Sequence, residues 1–221
     1  MVSPKVLPVP GETFTVEGRA AFLIMPGHVA GGAGTPWVWY APTLPGLPGP
    51  EEGWMFRELL DAGIAIAGID AGESYGSPAG RALFSALYRE LAGNRALSTT
   101  PCLLARSRGG LMLYNWAVEH PSSVACIAGI YPVCNLRSYP GIGKACAAYG
   151  MAEEQLTARL AEHNPIDRLT PLAEARVPLY HLHGDRDVVV PIEENSGELA
   201  RRYRQLGGEV TLHVIEGRGH D

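Results

Sequence analysis

The chain has 221 residues, of which 46% are hydrophobic and 19% are charged, and its formal net charge is −5. This length suits one α/β domain with a substantial core. Scattered basic residues argue against nucleic-acid binding, and no apolar run reaches the eighteen residues of a membrane span. The N-terminus lacks the apolar core of a signal peptide, which favours a cytoplasmic location over secretion with the signal removed.

Eight segments have the composition of strands. The segments 13–17 and 19–25 meet at Gly18 and predict an antiparallel hairpin. The other six are apolar runs, typical of strands buried on both faces of a parallel sheet, at 36–41, 64–69, 102–105, 124–130, 177–183 and 210–215. The glycine-rich segment 27–34 is not a phosphate loop, because no lysine follows it and no helix begins on it.

Helical patterns lie between these strands. Acidic residues begin a helix at 51–62, and Ser77 caps another with Pro78 at its first position. Two more follow, from Gly110 to Pro121 and over 192–206. Residues 132–176 break the alternation as a cap-like insertion with a short helix near 153–161. We therefore predict a single domain over 1–221, with a mostly parallel sheet of about eight strands and helices on both faces.

A tight strand-to-helix turn surrounds Ser107. The apolar strand ends just before Arg106, and the helical pattern begins at Gly110, so almost no loop separates them. A serine at the apex of such a turn, with Gly109 two residues later, is the geometry of a nucleophile elbow. Ala105 replaces the first glycine of the usual Gly-x-Ser-x-Gly pattern. Taken alone, the turn is as compatible with a structural role as with a catalytic one.

Two downstream segments place an acid and an imidazole at the same sheet edge. Asp185 and Asp187 follow the strand that ends at His183, and His220 follows the last strand. The carboxyl ends of parallel strands share one edge, where ligands bind. A serine hydroxyl needs an adjacent base, which imidazole provides, and a carboxylate must orient that base.

The four cysteines show neither the spacing of metal ligands nor the density of a disulfide scaffold. Cys102 and Cys126 fall inside apolar runs and are expected to be buried thiols. Cys134 and Cys146 flank a loop, where a bridge is the alternative to two free thiols. His181 and His183 suggest a metal pair, but we expect them to be structural residues on opposite faces of their strand.

Nearly the whole chain resembles the α/β-hydrolase superfamily, and most closely its prolyl-oligopeptidase-like and dienelactone-hydrolase-like members. The elbow, the His-Gly-x-x-Asp-x-x-Val-Pro pattern at 183–191 and the Gly-His ending carry the resemblance. It implies Ser107 as nucleophile, His220 as base and Asp187 as acid, with Asp185 as a competitor. It also implies an oxyanion hole formed by the backbone N–H of Arg108 and by a second N–H in the loop after the third strand. Pro42 has no N–H, so Thr43 or Leu44 must donate there, and we favour Thr43.

The fold that this resemblance implies normally has a helix after its histidine, whereas here only Asp221 follows. Either the chain was cut or a partner covers that face, so we expect exposed apolar surface near the last strand and a possible homo-oligomer. No cofactor or metal is expected. The predicted function is hydrolysis of a carboxylic ester, a small-molecule substrate with a short acyl group such as acetyl. The alternatives are a peptidase and a non-catalytic binding protein.

Two arginines and three tyrosines are candidates for substrate binding. Arg106 and Arg108 flank the nucleophile, and either solvent exposure and salt bridges or contact with an anionic substrate group explains them. Tyr75 and Tyr131, with Tyr139, are expected to line the pocket or to pack in the core and the insertion.

Overall fold

An eight-stranded sheet organises the computed structural model, which describes residues 5–28 and 34–221. Most of the glycine-rich segment 27–34 lies outside the described residues. The strand order is β1-β2-β4-β3-β5-β6-β7-β8. The strands are β1 (Glu12–Val16), β2 (Arg19–Ile24), β3 (Trp37–Ala41), β4 (Ala65–Ile69), β5 (Cys102–Arg106), β6 (Cys126–Ile130), β7 (Leu179–Gly184) and β8 (Val210–Ile215).

The predicted sheet is confirmed, including its hairpin. Strands β1 and β2 pair antiparallel, β2 joins β4 antiparallel, and all pairs from β4 to β8 are parallel. Every residue of β3 and β4 is buried, as their continuous apolar composition requires for strands covered on both faces.

Helices cover both faces of the sheet. Their bounds are α1 (Gly53–Asp61), α2 (Pro78–Tyr88), α3 (Gly109–Ala117), α4 (Ile142–Tyr149), α5 (Glu153–Ala158), α6 (Leu160–His163), α7 (Thr170–Glu174) and α8 (Ser196–Gln205). On one face, Trp39 packs against Phe84 of α2 and Trp116 of α3. On the other face, Tyr40 packs edge-on against Phe56 of α1. The sheet is therefore the middle of three layers.

The insertion after β6 contains four short helices, α4 to α7, instead of the single one predicted. Its apolar side chains form a third cluster with Leu111 of α3 and Val190. Helix α4 begins after Gly141 and ends at Gly150, which has a left-handed φ of 63°. The cluster fixes the insertion over the helix that follows Ser107.

Apolar surface is exposed at the last two strands, as expected. Tyr180 and Leu182 of β7 and Val214 and Ile215 of β8 are between 38% and 54% exposed. Within the described ranges, no helix combines the length and apolar character needed to cross a bilayer.

The four cysteines are free thiols. Cys134 and Cys146 are not bridged, because their sulfur atoms contact the carbonyls of Pro132 and Ile142, respectively. Cys102 and Cys126 are opposite each other on β5 and β6 and are only partly buried, which corrects the expectation of two buried thiols.

Candidate active site

Ser107 lies at the apex of the turn between β5 and α3. Its φ of 48° is left-handed, a conformation that costs energy for a residue with a Cβ and is found at functional turns. Backbone hydrogen bonds hold the turn: the Ser107 N–H donates to the Ile130 carbonyl at 3.0 Å, and the Val133 N–H donates to the Ser107 carbonyl at 2.8 Å. The strain is thus held in place by the neighbouring strand β6.

Two glycines allow this turn to fit against the rest of the sheet. A Cβ at Gly109 would lie 2.0 Å from the Ala41 carbonyl oxygen, and one at Gly110 would lie 2.3 Å from the Val133 carbonyl oxygen. Both obstacles are backbone atoms, so a side chain at either position would displace the turn. The small residues after Ser107 are required by close backbone approach.

The structure brings Ser107, His220 and Asp187 together. The Ser107 Oγ is 2.8 Å from His220 Nε2, and His220 Nδ1 is 2.7 Å from Asp187 Oδ2. The carboxylate accepts from Nδ1–H, which leaves the Nε2 lone pair to accept from the serine hydroxyl. This is the geometry that a base-activated serine needs.

The loop that carries His220 rests on the end of β7. A Cβ at Gly184 would be 2.2 Å from the Arg218 carbonyl oxygen, so only glycine permits this contact. The Arg186 N–H donates to the same carbonyl at 2.9 Å. Asp185 accepts from the Gly217 N–H at 2.6 Å. Asp185, the competing acid, therefore holds the histidine loop and does not contact the imidazole.

Asp187 is buried and ionised. Burial alone would raise its pKa, but hydrogen bonds from the Val190 N–H, the His220 ring and the Val189 N–H outweigh it and lower the pKa below its usual value. The two backbone groups donate to Oδ1 at 2.8 and 2.9 Å. Oδ2 faces the His220 imidazole at 2.7 Å, and His183 Nε2 lies 3.4 Å from the same oxygen, so both carboxylate oxygens have fixed partners.

A chain of buried hydrogen bonds lies behind Asp187. Tyr114 Oη is 2.7 Å from His181 Nε2, and the Ser196 Oγ lies 2.9 Å from His181 Nδ1 and 2.8 Å from His183 Nδ1. His183 Nε2 is 2.8 Å from the Val190 carbonyl oxygen. The expectation that the two histidines lie on opposite faces is wrong: residues two apart in a strand share a face.

The donors and acceptors in this chain of hydrogen bonds fix which ring nitrogen of each histidine carries a proton. The Val190 carbonyl can only accept, so His183 carries its proton on Nε2 and accepts from Ser196 at Nδ1. The Ser196 oxygen then accepts from His181 Nδ1–H, and the Tyr114 hydroxyl donates to His181 Nε2. Burial and the nearby His183 lower the pKa of His181 to about 3, and burial also lowers the pKa of His183. Both rings are therefore neutral at physiological pH.

A pocket of about 280 Å³ opens in front of Ser107 and His220. It is lined by Pro42, Leu47, Arg106, Ser107, Arg108, Tyr131, Tyr139, Val189 and His220. Its volume is just below the roughly 300–1,000 Å³ typical of ligand pockets.

The comparisons with known proteins agree with this geometry. The sequence model of the prolyl oligopeptidase family matches residues 101–221, more than half of the chain and the part that contains all three clustered side chains. The chain belongs to the prolyl oligopeptidase family. No curated protein sequence matches it.

Solved structures with the same fold include several relatives at low sequence identity. A puromycin hydrolase has a TM-score of 0.75 at 20% identity, with 96% of this chain and 36% of that chain covered. Dipeptidyl peptidase 4 from Porphyromonas gingivalis gives 0.74 at 13%, with 96% and 32% covered. MPT51 from Mycobacterium tuberculosis gives 0.73 at 15%, with 96% and 92% covered. The chain thus spans about a third of the length of the first two and nearly all of the third.

Only some of the other predicted site residues reach the pocket. Arg106 and Tyr131 line the pocket, and the Tyr131 ring centroid is 4.4 Å from that of His220. Tyr75 does not line the pocket, because it packs with the insertion, where its carbonyl accepts from the Tyr149 hydroxyl at 2.9 Å. Among the described residues, no acceptor takes a hydrogen bond from the Arg108 N–H, which leaves that donor free for an oxyanion.

Thr43 is buried and does not line the pocket, so its role as the second oxyanion donor stays a prediction. The Leu44 N–H, the alternative donor in the same loop, donates to the Leu47 carbonyl. Leu47 and Pro42 reach the pocket instead, and no sequence signal singled them out.

No group of three or more His, Cys, Asp or Glu side chains is arranged to hold a metal ion in the described ranges. The Ser196 hydroxyl lies between the buried His181 and His183.

Proposed function

We propose that this chain is a serine hydrolase that cleaves carboxylic esters with a short acyl group through an acyl-enzyme intermediate. The pair of short hydrogen bonds from Ser107 through His220 to Asp187, at the wall of a pocket, carries the proposal. Membership of the prolyl oligopeptidase family supports serine-type chemistry in general.

In the first half of the reaction, the Ser107 oxygen attacks the substrate carbonyl while its proton passes to His220 Nε2. The resulting imidazolium is stabilised by the Asp187 carboxylate. The oxyanion accepts a hydrogen bond from the Arg108 N–H, with Thr43 proposed as the second donor. One such donor typically contributes about 2.7–4 kcal/mol to transition-state stabilisation.

To complete acylation, His220 gives its proton to the departing alcohol, and the C–O bond to that alcohol breaks. A water molecule then attacks the acyl-enzyme, with His220 taking its proton and returning it to Ser107. The products are the alcohol and the carboxylic acid, and the Ser107 hydroxyl is regenerated. The protein groups balance every proton transfer.

The small pocket supports a short acyl group, and the insertion lacks the large apolar lid of a lipase. Peptide hydrolysis is the second candidate. Structural neighbours named as dipeptidyl and acylaminoacyl peptidases support it. Non-catalytic binding is the alternative from another class.

A matched substrate pair separates these candidates. One aminoacyl group is offered as its p-nitrophenyl ester and as its p-nitroanilide, to wild type and to Ser107→Ala. Ester cleavage that depends on Ser107, with the anilide at least a hundredfold slower, supports the proposal. Comparable kcat/KM for both supports the peptidase, and equal background rates for wild type and variant contradict serine catalysis.

A further inference from the structure

The two arginines beside Ser107 are held very differently. Arg106 forms an ion pair with Glu52, which is only 3% exposed, and donates from Nε to the Tyr131 hydroxyl at 3.0 Å. Glu52 also accepts from the Tyr40 hydroxyl at 2.9 Å and from the Gly49 N–H at 2.7 Å. The charge of Arg106 is thus compensated by a fixed, buried partner.

Arg108 has no comparable partner. Its Nη1 is 3.4 Å from the Tyr139 hydroxyl, and its Nε is 3.4 Å from a carboxylate oxygen of Glu73. Charge-assisted hydrogen bonds are normally about 2.7–2.9 Å long. Among the described residues, no acceptor completes a hydrogen bond to that Nε, although the atom is buried.

Glu73 is a weak competitor for this guanidinium. Its side chain is 45% exposed, and that of Arg108 is 30% exposed. Ion pairs as open as this contribute little, because water and salt screen them. Arg108 therefore retains donors for another anion at the wall of the pocket.

The pocket itself favours a negative group. None of the nine residues described as lining it is acidic, whereas two are arginines. Guanidinium binds a carboxylate through two parallel hydrogen bonds, which a neutral ester group cannot match. We infer that the substrate is an ester with a carboxylate close to the scissile bond, bound by Arg108 in place of Glu73. This inference rests on the proposed hydrolase function.

Two pairs of methyl or acetyl esters test the inference, because each pair differs mainly in the carboxylate. Monomethyl succinate is compared with methyl pentanoate, and acetoxyacetate with propyl acetate, by pH-stat titration. Wild type is expected to favour the anion in at least one pair by roughly tenfold in kcat/KM, the effect of one charge-assisted contact.

The informative quantity is the ratio of kcat/KM for the anionic ester to kcat/KM for its neutral partner. Variants of Arg108 and of Glu73 should change this ratio in opposite directions. Arg108→Gln is expected to lower it about tenfold, Arg108→Lys to lower it less, and Glu73→Gln to raise it by removing the competing carboxylate. Arg57→Gln, at an exposed position on α1, is the matched control for a change in net charge. A ratio near one in wild type, or equal ratios for wild type and Arg108→Gln, would overturn the inference while leaving the hydrolase intact.

Binding to the Ser107→Ala protein separates this result from a failure of the proposed function. Ligand-observed NMR of monomethyl succinate against methyl pentanoate needs no turnover. Selective binding that Arg108→Gln abolishes, together with no hydrolysis by wild type, would refute the hydrolase and uphold the anion site. Equal binding of both esters would refute the anion site.

Discussion

Removal of the Ser196 hydroxyl tests the buried hydrogen-bond chain behind Asp187. Ser196 is the first residue of α8 and is fully buried, with its oxygen between His181 and His183. In Ser196→Ala, the His181 Nδ1–H loses its acceptor and the His183 Nδ1 lone pair loses its donor. Water has no access to either ring atom, because both histidines are at most 1% exposed.

The expected cost follows from the two groups left without partners. Each buried unsatisfied polar group costs about 1–3 kcal/mol, so the free energy of unfolding should fall by about 2–6 kcal/mol. A domain is typically stable by about 5–15 kcal/mol, so the variant is expected to fold with a much lower urea midpoint. Tyr114→Phe removes only one donor and should cost about half as much.

Equilibrium urea unfolding, followed by tryptophan fluorescence and circular dichroism, measures this change. Ser122→Ala, at an exposed serine, is the control and should change the free energy of unfolding by less than about 0.5 kcal/mol. If Ser196→Ala is as stable as this control, the bridge between the two histidines does not exist as described.

Three further predictions follow from the same geometry. Burial lowers the pKa of His181 to about 3, so between about pH 3 and 6.5 this residue binds a proton only in the unfolded chain. The free energy of unfolding therefore rises with pH by about 1.4 kcal/mol per pH unit over that range. Urea midpoints at pH 4.5 and 7 should differ by the equivalent of about 2.7 kcal/mol from this group, and His181→Gln should lose that share; an unchanged pH dependence would contradict it. Gly109→Ala should abolish labelling of the nucleophile by a fluorophosphonate, since its Cβ meets the Ala41 carbonyl, whereas Gly93→Ala has open space and should label normally. Tyr131→Phe keeps the ring beside the imidazole and should lose less than tenfold in kcat/KM, while Tyr131→Ala should lose more; equal losses would exclude a role for the ring.

Much of the fold could be predicted because the relevant signals are local. Runs such as 64–69 are apolar throughout, and a strand of this kind has few alternatives between two turn signals. Helix α4 was not predicted because Gly143 interrupts the helical pattern of its sequence. Its apolar face is completed only by residues of α5 and α6. Its stability comes from tertiary packing, which overrides local propensity.

In the candidate site too, local signals were predictable from the sequence and long-range contacts were not. Ser107 and His220 were predictable from a turn pattern and from position in the topology, and the resemblance favoured Asp187 over Asp185. The ion pair between Arg106 and Glu52 could not be predicted, because Glu52 is 54 positions away and nothing in its helical segment marks it as buried. The link between His181 and His183 also depends on a serine from α8, a contact that only the packed structure reveals.

Mapping of a fluorophosphonate adduct by peptide mass spectrometry tests the central claim most directly. We expect one adduct per chain, on the Ser107 hydroxyl, and at least a hundredfold slower labelling in His220→Gln, because the serine then has no base. An adduct on a different serine, or equal labelling rates in wild type and His220→Gln, would contradict the assignment of Ser107 as an activated nucleophile.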